Sequence, residues 1–200
     1  MSENLSIKDE LLRKLIHICS SGFAFALFFL NQQTVCIIVG FGAILILLFE
    51  ILRSKYYPVN KIFIKVFGKV TRNFEKTDLT GATYVMISSF IVLLPIFDFY
   101  TSLFSIFIMS YSDTAAAIFG KKYGRTKVFN KTLEGSFAFF VVGFVIAIFI
   151  YPNISLGLAI FALFLATIVE ALPINIDDNL SVPVIISLIL SLGSWIEYIN

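Results

Sequence analysis

YSDTAAAIFGKKYGRTKVFNKTLEGS, residues 111–136, is a polar, basic, glycine-spaced insert between two strongly apolar runs. A lone carboxylate, Asp113, stands near the end of the first run. Ala115, Ala116 and Ala117 then allow close backbone approach, and Gly120 and Gly124 follow at helical spacing. Lys121, Lys122, Arg125, Lys127 and Lys131 surround and follow the glycines, and Thr132, Glu134, Gly135 and Ser136 close the stretch. Small residues, clustered cations and an acid at a membrane boundary suit a phosphate-bearing ligand that also needs a metal.

The rest of the chain makes that boundary a membrane boundary. Its 200 residues have room for one domain, residues 1–200. Apolar residues make up 58% and charged residues 14%, where a soluble domain carries about 25% charge. Mean hydropathy is +0.93. These values exclude a separate soluble module and predict an all-α, polytopic integral membrane protein. Nucleic acid is not an expected partner. Cys19 and Cys36 lie in apolar runs without a CxxC partner and read as core thiols.

Seven apolar runs follow one another. The first begins with DELLRKLIH, residues 9–17, where Glu10, Arg13, Lys14 and His17 share one helix face. It continues to Leu30 and reads as a retained transmembrane helix with a charged entry. The second covers residues 35–52 and ends on Glu50 and Arg53. After Pro58 the sequence VNKIFIKVFGKV puts Lys61, Lys65 and Lys69 in one stripe opposite an apolar face, the pattern of a basic amphipathic helix in the membrane interface. The remaining runs cover residues 81–97, 101–119, 137–151, 154–172 and 182–196. About seven spans are expected, several near the lower limit for crossing about 30 Å of hydrocarbon.

Charge placement orients the spans. Lys8, Arg13 and Lys14 precede the first; Arg53, Lys55, Lys61, Lys65, Lys69, Arg72 and Lys76 lie between the second and third; Lys121, Lys122, Arg125, Lys127 and Lys131 lie between the fourth and fifth. Together they are all 15 Lys and Arg in the chain. By the positive-inside rule the N-terminus is cytoplasmic and the C-terminus lies on the opposite side. Asp113, Glu134, Glu170, Asp177 and Asp178 then gather on the cytoplasmic face, where nucleotides are available.

Each polar feature has two readings. Asp113 is a metal ligand or general base, or a helix-capping acid. Glu170, at a span's end, belongs to the site or pairs with a structural cation. Asp177, Asp178 and Asn179 offer oxygen ligands for Mg²⁺, and equally cap the helix that follows. Gly120-x-x-x-Gly124 alone signals close helix packing, and no GK[ST] follows it as in a P-loop. His17, the only histidine, binds phosphate, shuttles a proton or is structural. A single His and unpaired Cys argue against a zinc site.

In combination these blocks resemble the polyprenol kinase family, which includes dolichol kinase, phytol kinase and CTP-dependent diacylglycerol kinase. The resemblance rests on Glu10, Arg13, Lys14 and His17; Glu50 and Arg53; LTGATY at residues 79–84; Asp113, Ala116, Gly120 and Gly124; Lys131-Thr132-x-Glu134-Gly135-Ser136; Glu170; and Asp177-Asp178-Asn179-Leu180-x-x-Pro183. It implies a membrane kinase that moves the γ-phosphoryl of a nucleotide, usually CTP, to a lipid alcohol. On that reading Asp113, Asp178 and His17 are catalytic. Asp113, Asp177, Asp178 and Asn179 hold Mg²⁺ or another divalent cation. Arg13, Lys14, Gly120, Lys121, Lys122, Gly124, Arg125, Lys131, Thr132, Glu134, Gly135 and Ser136 surround the nucleotide, and Glu10, Glu50, Arg53 and Glu170 are further site candidates. The central block is also similar to the CDP-diacylglycerol synthase family, which makes a phosphatidate cytidylyltransferase the alternative. A small transporter is a third reading, motivated by acids within apolar runs.

Overall fold

The computed structural model describes residues 7–129 and 131–199 and is helical almost throughout. The first run is not one helix. Helix α1, Ile7–Cys19, stops where the Ser20 hydroxyl donates to the carbonyl of His17 (2.6 Å), and α2, Ser21–Ala26, starts afresh. A serine that bonds to the preceding turn competes with the helix ladder, so the expected single span is broken. The thiols also separate: Cys36 is buried, whereas Cys19 is exposed.

Helix α3, Gln32–Lys55, is capped by Asn31, whose side chain accepts from Thr34 N at 2.8 Å. The expected amphipathic helix is α4, Tyr57–Phe67, with Pro58 in its first turn; Phe63 is its buried residue. A short 3₁₀ turn at Phe74–Lys76 leads into α5, Gly81–Val92. Helix α5 ends before Pro95, short of the expected run to residue 97. The Gln32 amide takes up chain ends there, donating to the carbonyls of Leu93 and Phe97 at 3.2 and 2.8 Å.

The centre of the molecule is one long helix in three parts. Helix α6, Phe99–Phe107, passes through a π turn at Ile108–Ser112 into α7, Asp113–Tyr123. The wider turn sits immediately before Asp113, and such bulges concentrate at functional sites. After α7 comes a small antiparallel hairpin that the polar composition of the insert did not reveal. Its strands β1, Lys127–Val128, and β2, Lys131–Thr132, pair Lys127 with Thr132 and Val128 with Lys131. Thr132 caps α8, Leu133–Ile150, by accepting from Gly135 N at 3.2 Å. Helices α9, Leu156–Ala171, and α10, Asp178–Ile199, complete the bundle.

Helices α8 and α10 pack against α6–α7, α9 lies against α8 and α10, and α5 packs on α10 with α3 against α5. Phe104, Phe139, Leu163, Ile186 and Leu190 form the apolar centre. Around it the usual soluble pattern is reversed. Large apolar side chains such as Phe29, Ile37 and Phe149 face outward, while Ser88, Ser89, Ser102, Ser105 and Ser187 are fully buried. The Ser105 and Ser187 hydroxyls bond to one another between helices at 2.7 Å. Small polar residues joining helices beneath an apolar surface are the packing mode of a membrane bundle. Residues Gln32–Lys55, Phe99–Tyr123, Leu133–Ile150 and Asp178–Ile196 are long and apolar enough to cross a bilayer; Gly81–Val92 and Leu156–Ala171 are apolar but shorter.

Candidate active site

The ionisable residues singled out in the sequence converge at one end of this bundle, and Asp113 is at their centre. It begins α7 and is buried. Lys14, from one face of α1, is also buried and forms an ion pair with Asp113 Oδ2. His17, one turn on, has Nε2 3.6 Å from the same oxygen and 2.6 Å from Asn179 Oδ1. Arg13 turns back instead: its Nη2 reaches Glu10 Oε1 at 2.6 Å.

Two further carboxylates complete the cluster. Glu170 comes from the last turn of α9 and Asp178 from the first residue of α10. One oxygen each of Asp113, Glu170 and Asp178 lies within 4.8 Å of the others. Lys131, on β2, inserts its Nζ between two of them, 2.6 Å from Glu170 Oε1 and 2.5 Å from Asp178 Oδ2. The hairpin unseen in the sequence is what delivers this lysine. Burial works to release the Lys131 proton, but Asp178, Glu170 and Asp113 outweigh it and hold the ammonium well above the usual lysine range.

Three convergent carboxylates are a hard-oxygen donor set of the kind that holds Mg²⁺, and the Lys131 ammonium lies where such a cation is drawn. The set differs from the expected one in a specific way. Glu170 is in it. Asp177 is outside it: its Oδ1 accepts from Asn179 N at 3.0 Å, at the head of α10. Burial, then the neighbouring Asp178, push the Asp177 carboxyl up to about 6. Asn179 meets His17 rather than the carboxylate cluster.

The glycine pair serves close packing. A Cβ on Gly120 would stand 2.8 Å from Thr132 Oγ1, and one on Gly124 would stand 2.6 Å from Thr132 Cγ2. These contacts press the hairpin onto α7. Glu134 accepts from Thr126 N at 3.1 Å and pins the hairpin's other side, while the Ser136 hydroxyl reaches Glu170 Oε2 at 3.5 Å. Lys122 and Arg125 are exposed and Lys121 is half-buried, all at the α7 end. They form a basic rim beside the cluster rather than part of its interior.

Glu50 and Arg53 lie in a neighbouring network. Arg53, buried, donates to Glu50 Oε2 at 2.5 Å and to the carbonyls of Glu75, Lys76 and Asp78 at 2.9, 3.2 and 2.5 Å. Glu50 Oε1 accepts from the hydroxyls of Thr80 and Thr83 at 2.8 and 2.9 Å. Glu75, which the sequence reading did not single out, is buried and accepts from Gly81 N at 3.0 Å. No local pattern distinguishes it from the other charged residues of the connection, Arg72, Lys76 and Asp78. Only the chain's return past Arg53 encloses it.

An all-α membrane bundle with an enclosed carboxylate–lysine cluster at one end is the class of protein defined so far. Its relatives narrow the class. The chain is 31% identical over 212 residues to phytol kinase 1, chloroplastic, of Arabidopsis thaliana, covering 94% of this chain and 68% of that one. It is 28% identical over 208 residues to CTP-dependent diacylglycerol kinase 1 of Schizosaccharomyces pombe, covering 94% of each. It is also 28% identical to an uncharacterized protein of Methanocaldococcus jannaschii, covering 91% of this chain and 93% of that one. The chain belongs to the polyprenol kinase family. No protein-family model matches the chain, and no solved structure matches it significantly.

Proposed function

We propose that this protein is a membrane lipid kinase that transfers the γ-phosphoryl of CTP to the hydroxyl of a lipid alcohol, with its active site at the end of the bundle that holds Asp113. The observation that carries the reading is the meeting of Asp113, Glu170 and Asp178 with Lys14 and Lys131. Phosphoryl transfer needs placement and charge neutralisation more than covalent chemistry, and these residues supply both. Relatives named CTP-dependent diacylglycerol kinase and phytol kinase support the donor and the acceptor class.

Asp113, Glu170 and Asp178 would hold a divalent cation, Mg²⁺ by donor chemistry, and the ion would supply charge neutralisation for the triphosphate. Lys131, with a third of its side chain exposed, is free to swing from the carboxylates toward the triphosphate. Lys14 stays on Asp113 and fixes its orientation. Lys122 and Arg125 on the rim receive the outer phosphates, Arg125 as a bidentate fork. The clustering of every Lys and Arg on one side of the apolar runs supports a cytoplasmic site, and with about seven passes the C-terminus would lie on the opposite side.

The test uses purified protein in lipid nanodiscs with γ-labelled CTP, Mg²⁺ and a panel of lipid alcohols. Label is expected in a lipid phosphate, and Asp113→Ala is expected to lower its rate by about 100-fold or more while the protein remains inserted. Near wild-type transfer by Asp113→Ala overturns the site assignment. Turnover only with phosphatidic acid, releasing pyrophosphate, replaces the kinase by a cytidylyltransferase.

A further inference from the structure

Beside the carboxylate cluster, α1, α3, α4 and α5 enclose a partly open cavity of about 450 Å³. His17 and Arg13 line its wall from α1, Glu50 from α3, and Thr80 and Gly81 from the start of α5. The rest of the lining is mostly apolar, with Phe23, Phe49, Phe63, Phe67, Val85 and Met86 contributing. Ile16, Cys19 and Phe67 also line it and are exposed. Its mouth therefore opens on apolar surface of the kind that faces hydrocarbon.

The polar atoms of the lining show what the cavity accepts. Glu50 is taken by Arg53, Thr80 and Thr83; Glu75 by the backbone of Arg72 and Gly81; the Thr71 hydroxyl by the carbonyl of Phe67; and the Ser20 hydroxyl by the carbonyl of His17. Among the described residues of the lining, one fully buried side-chain atom lacks a partner, His17 Nδ1. The partner of the other ring nitrogen fixes its state. Asn179 Oδ1 only accepts, so Nε2 carries the hydrogen and Nδ1 presents a bare lone pair. An unmatched buried acceptor is costly unless a ligand donor completes it.

We propose that this cavity is the acceptor subsite of the kinase: it holds the hydrocarbon adjoining the hydroxyl of a lipid alcohol, and that hydroxyl donates its hydrogen bond to His17 Nδ1. The inference rests on the kinase reading for its chemistry, but the cavity and the free nitrogen stand apart from it. A nucleobase in the same space would need several free donors and acceptors, and the lining groups are already paired. A lipid alcohol needs one acceptor and an apolar sleeve, which is what the cavity provides. The location fits transfer, because the His17 ring spans from the cavity to the Asp113 carboxylate. The hydroxyl oxygen keeps its lone pairs while the hydrogen faces His17.

Two measurements test this. In the first, a long-chain alcohol bearing a photoreactive diazirine on its tail is irradiated with the full chain in nanodiscs, and labelled peptides are mapped. Labelling is expected on α4 and α5, around Phe63, Phe67 and Met86. It is expected to be displaced by the unlabelled alcohol about tenfold better than by its methyl ether, the span of one buried hydrogen bond. His17→Ala should abolish that preference while labelling persists. This readout needs no turnover, so it survives a failure of the kinase reading. In the second, Ala82→Phe, at an exposed residue of the lining, is expected to raise KM for the alcohol about tenfold or more and leave KM for CTP within about twofold. Labelling confined to other helices, equal displacement by alcohol and ether, or an Ala82→Phe effect on CTP alone overturns the proposal.

Discussion

Lys14 and Lys131 decide how the acids at the site behave. Each stands where a carboxylate would otherwise be buried with its charge unmatched, a situation that costs several kcal/mol per ion. Lys131 also occupies the space between Glu170 and Asp178 that a divalent cation would take. Lys131→Met should therefore bind Mn²⁺ more tightly than the wild type, by about tenfold or more, while its phosphoryl transfer falls. Electron paramagnetic titration of free Mn²⁺ measures the first effect; unchanged affinity would place the cation elsewhere. Asp177 gives a pH-dependent prediction. Its folded-state value is pushed up to about 6 from the ordinary value near 4. A raised carboxyl favours the folded state less as pH climbs between those two values, because the ionised form is the one penalised. Asparagine keeps the cap without the charge. Asp177→Asn is expected to raise the melting temperature in metal-free buffer at about pH 8 and to leave it unchanged below about pH 4. Equal melting at both, followed by tryptophan fluorescence in detergent, contradicts that electrostatic picture.

Among elements, the connection from α3 to α5 is gathered around Arg53, with Glu50 and Glu75 holding the start of α5. Arg53 closes it onto Glu50 and three backbone carbonyls, with its guanidinium 4.6 Å above the Phe63 ring of α4. That fork helps set the start of α5 and the wall of the cavity. Arg53→Ala leaves Glu50 buried without its cation and should cost about 3 kcal/mol or more, seen as a clear fall in melting temperature. Arg53→Lys recovers only part of this, because a lysine cannot reproduce the planar fork. Unaltered melting in Arg53→Ala would show that the connection is held otherwise. The elements differ in how legible they were. The 3.6-residue periodicity of residues 59–70 and the length of the run 35–52 pointed to α4 and α3, although α4 ends at Phe67 and leaves Lys69 beyond it. The break at Ser20 was illegible, because serine is common within membrane helices and only its bond to the His17 carbonyl ends the ladder. The hairpin was hidden too. Its strands are two residues long, too short for an alternating pattern to show.

At the scale of the whole molecule, the distribution of 15 Lys and Arg over three connections already gathered the site at one end. It did not reveal which acids share a cation. Asp113, Glu170 and Asp178 are far apart in sequence, and their meeting depends on how α7, α9 and α10 pack, which no local pattern records. Neighbouring Asp177 and Asp178 look equivalent in the chain, yet the helix start turns one into the cluster and leaves the other as a cap. Composition implied a membrane bundle, but the buried serines and outward aromatics followed only from the packing. The cavity between α1 and α5 was not legible at all, since four separate elements line it. The measurement that tests the account most directly gives the reconstituted protein CTP labelled in turn at the α and the γ phosphate, with diacylglycerol and phosphatidic acid both present. The account predicts γ-label in the lipid fraction, with α-label remaining in water-soluble CDP. Label from the α phosphate entering lipid would contradict it, because that product requires transfer of the cytidylyl group.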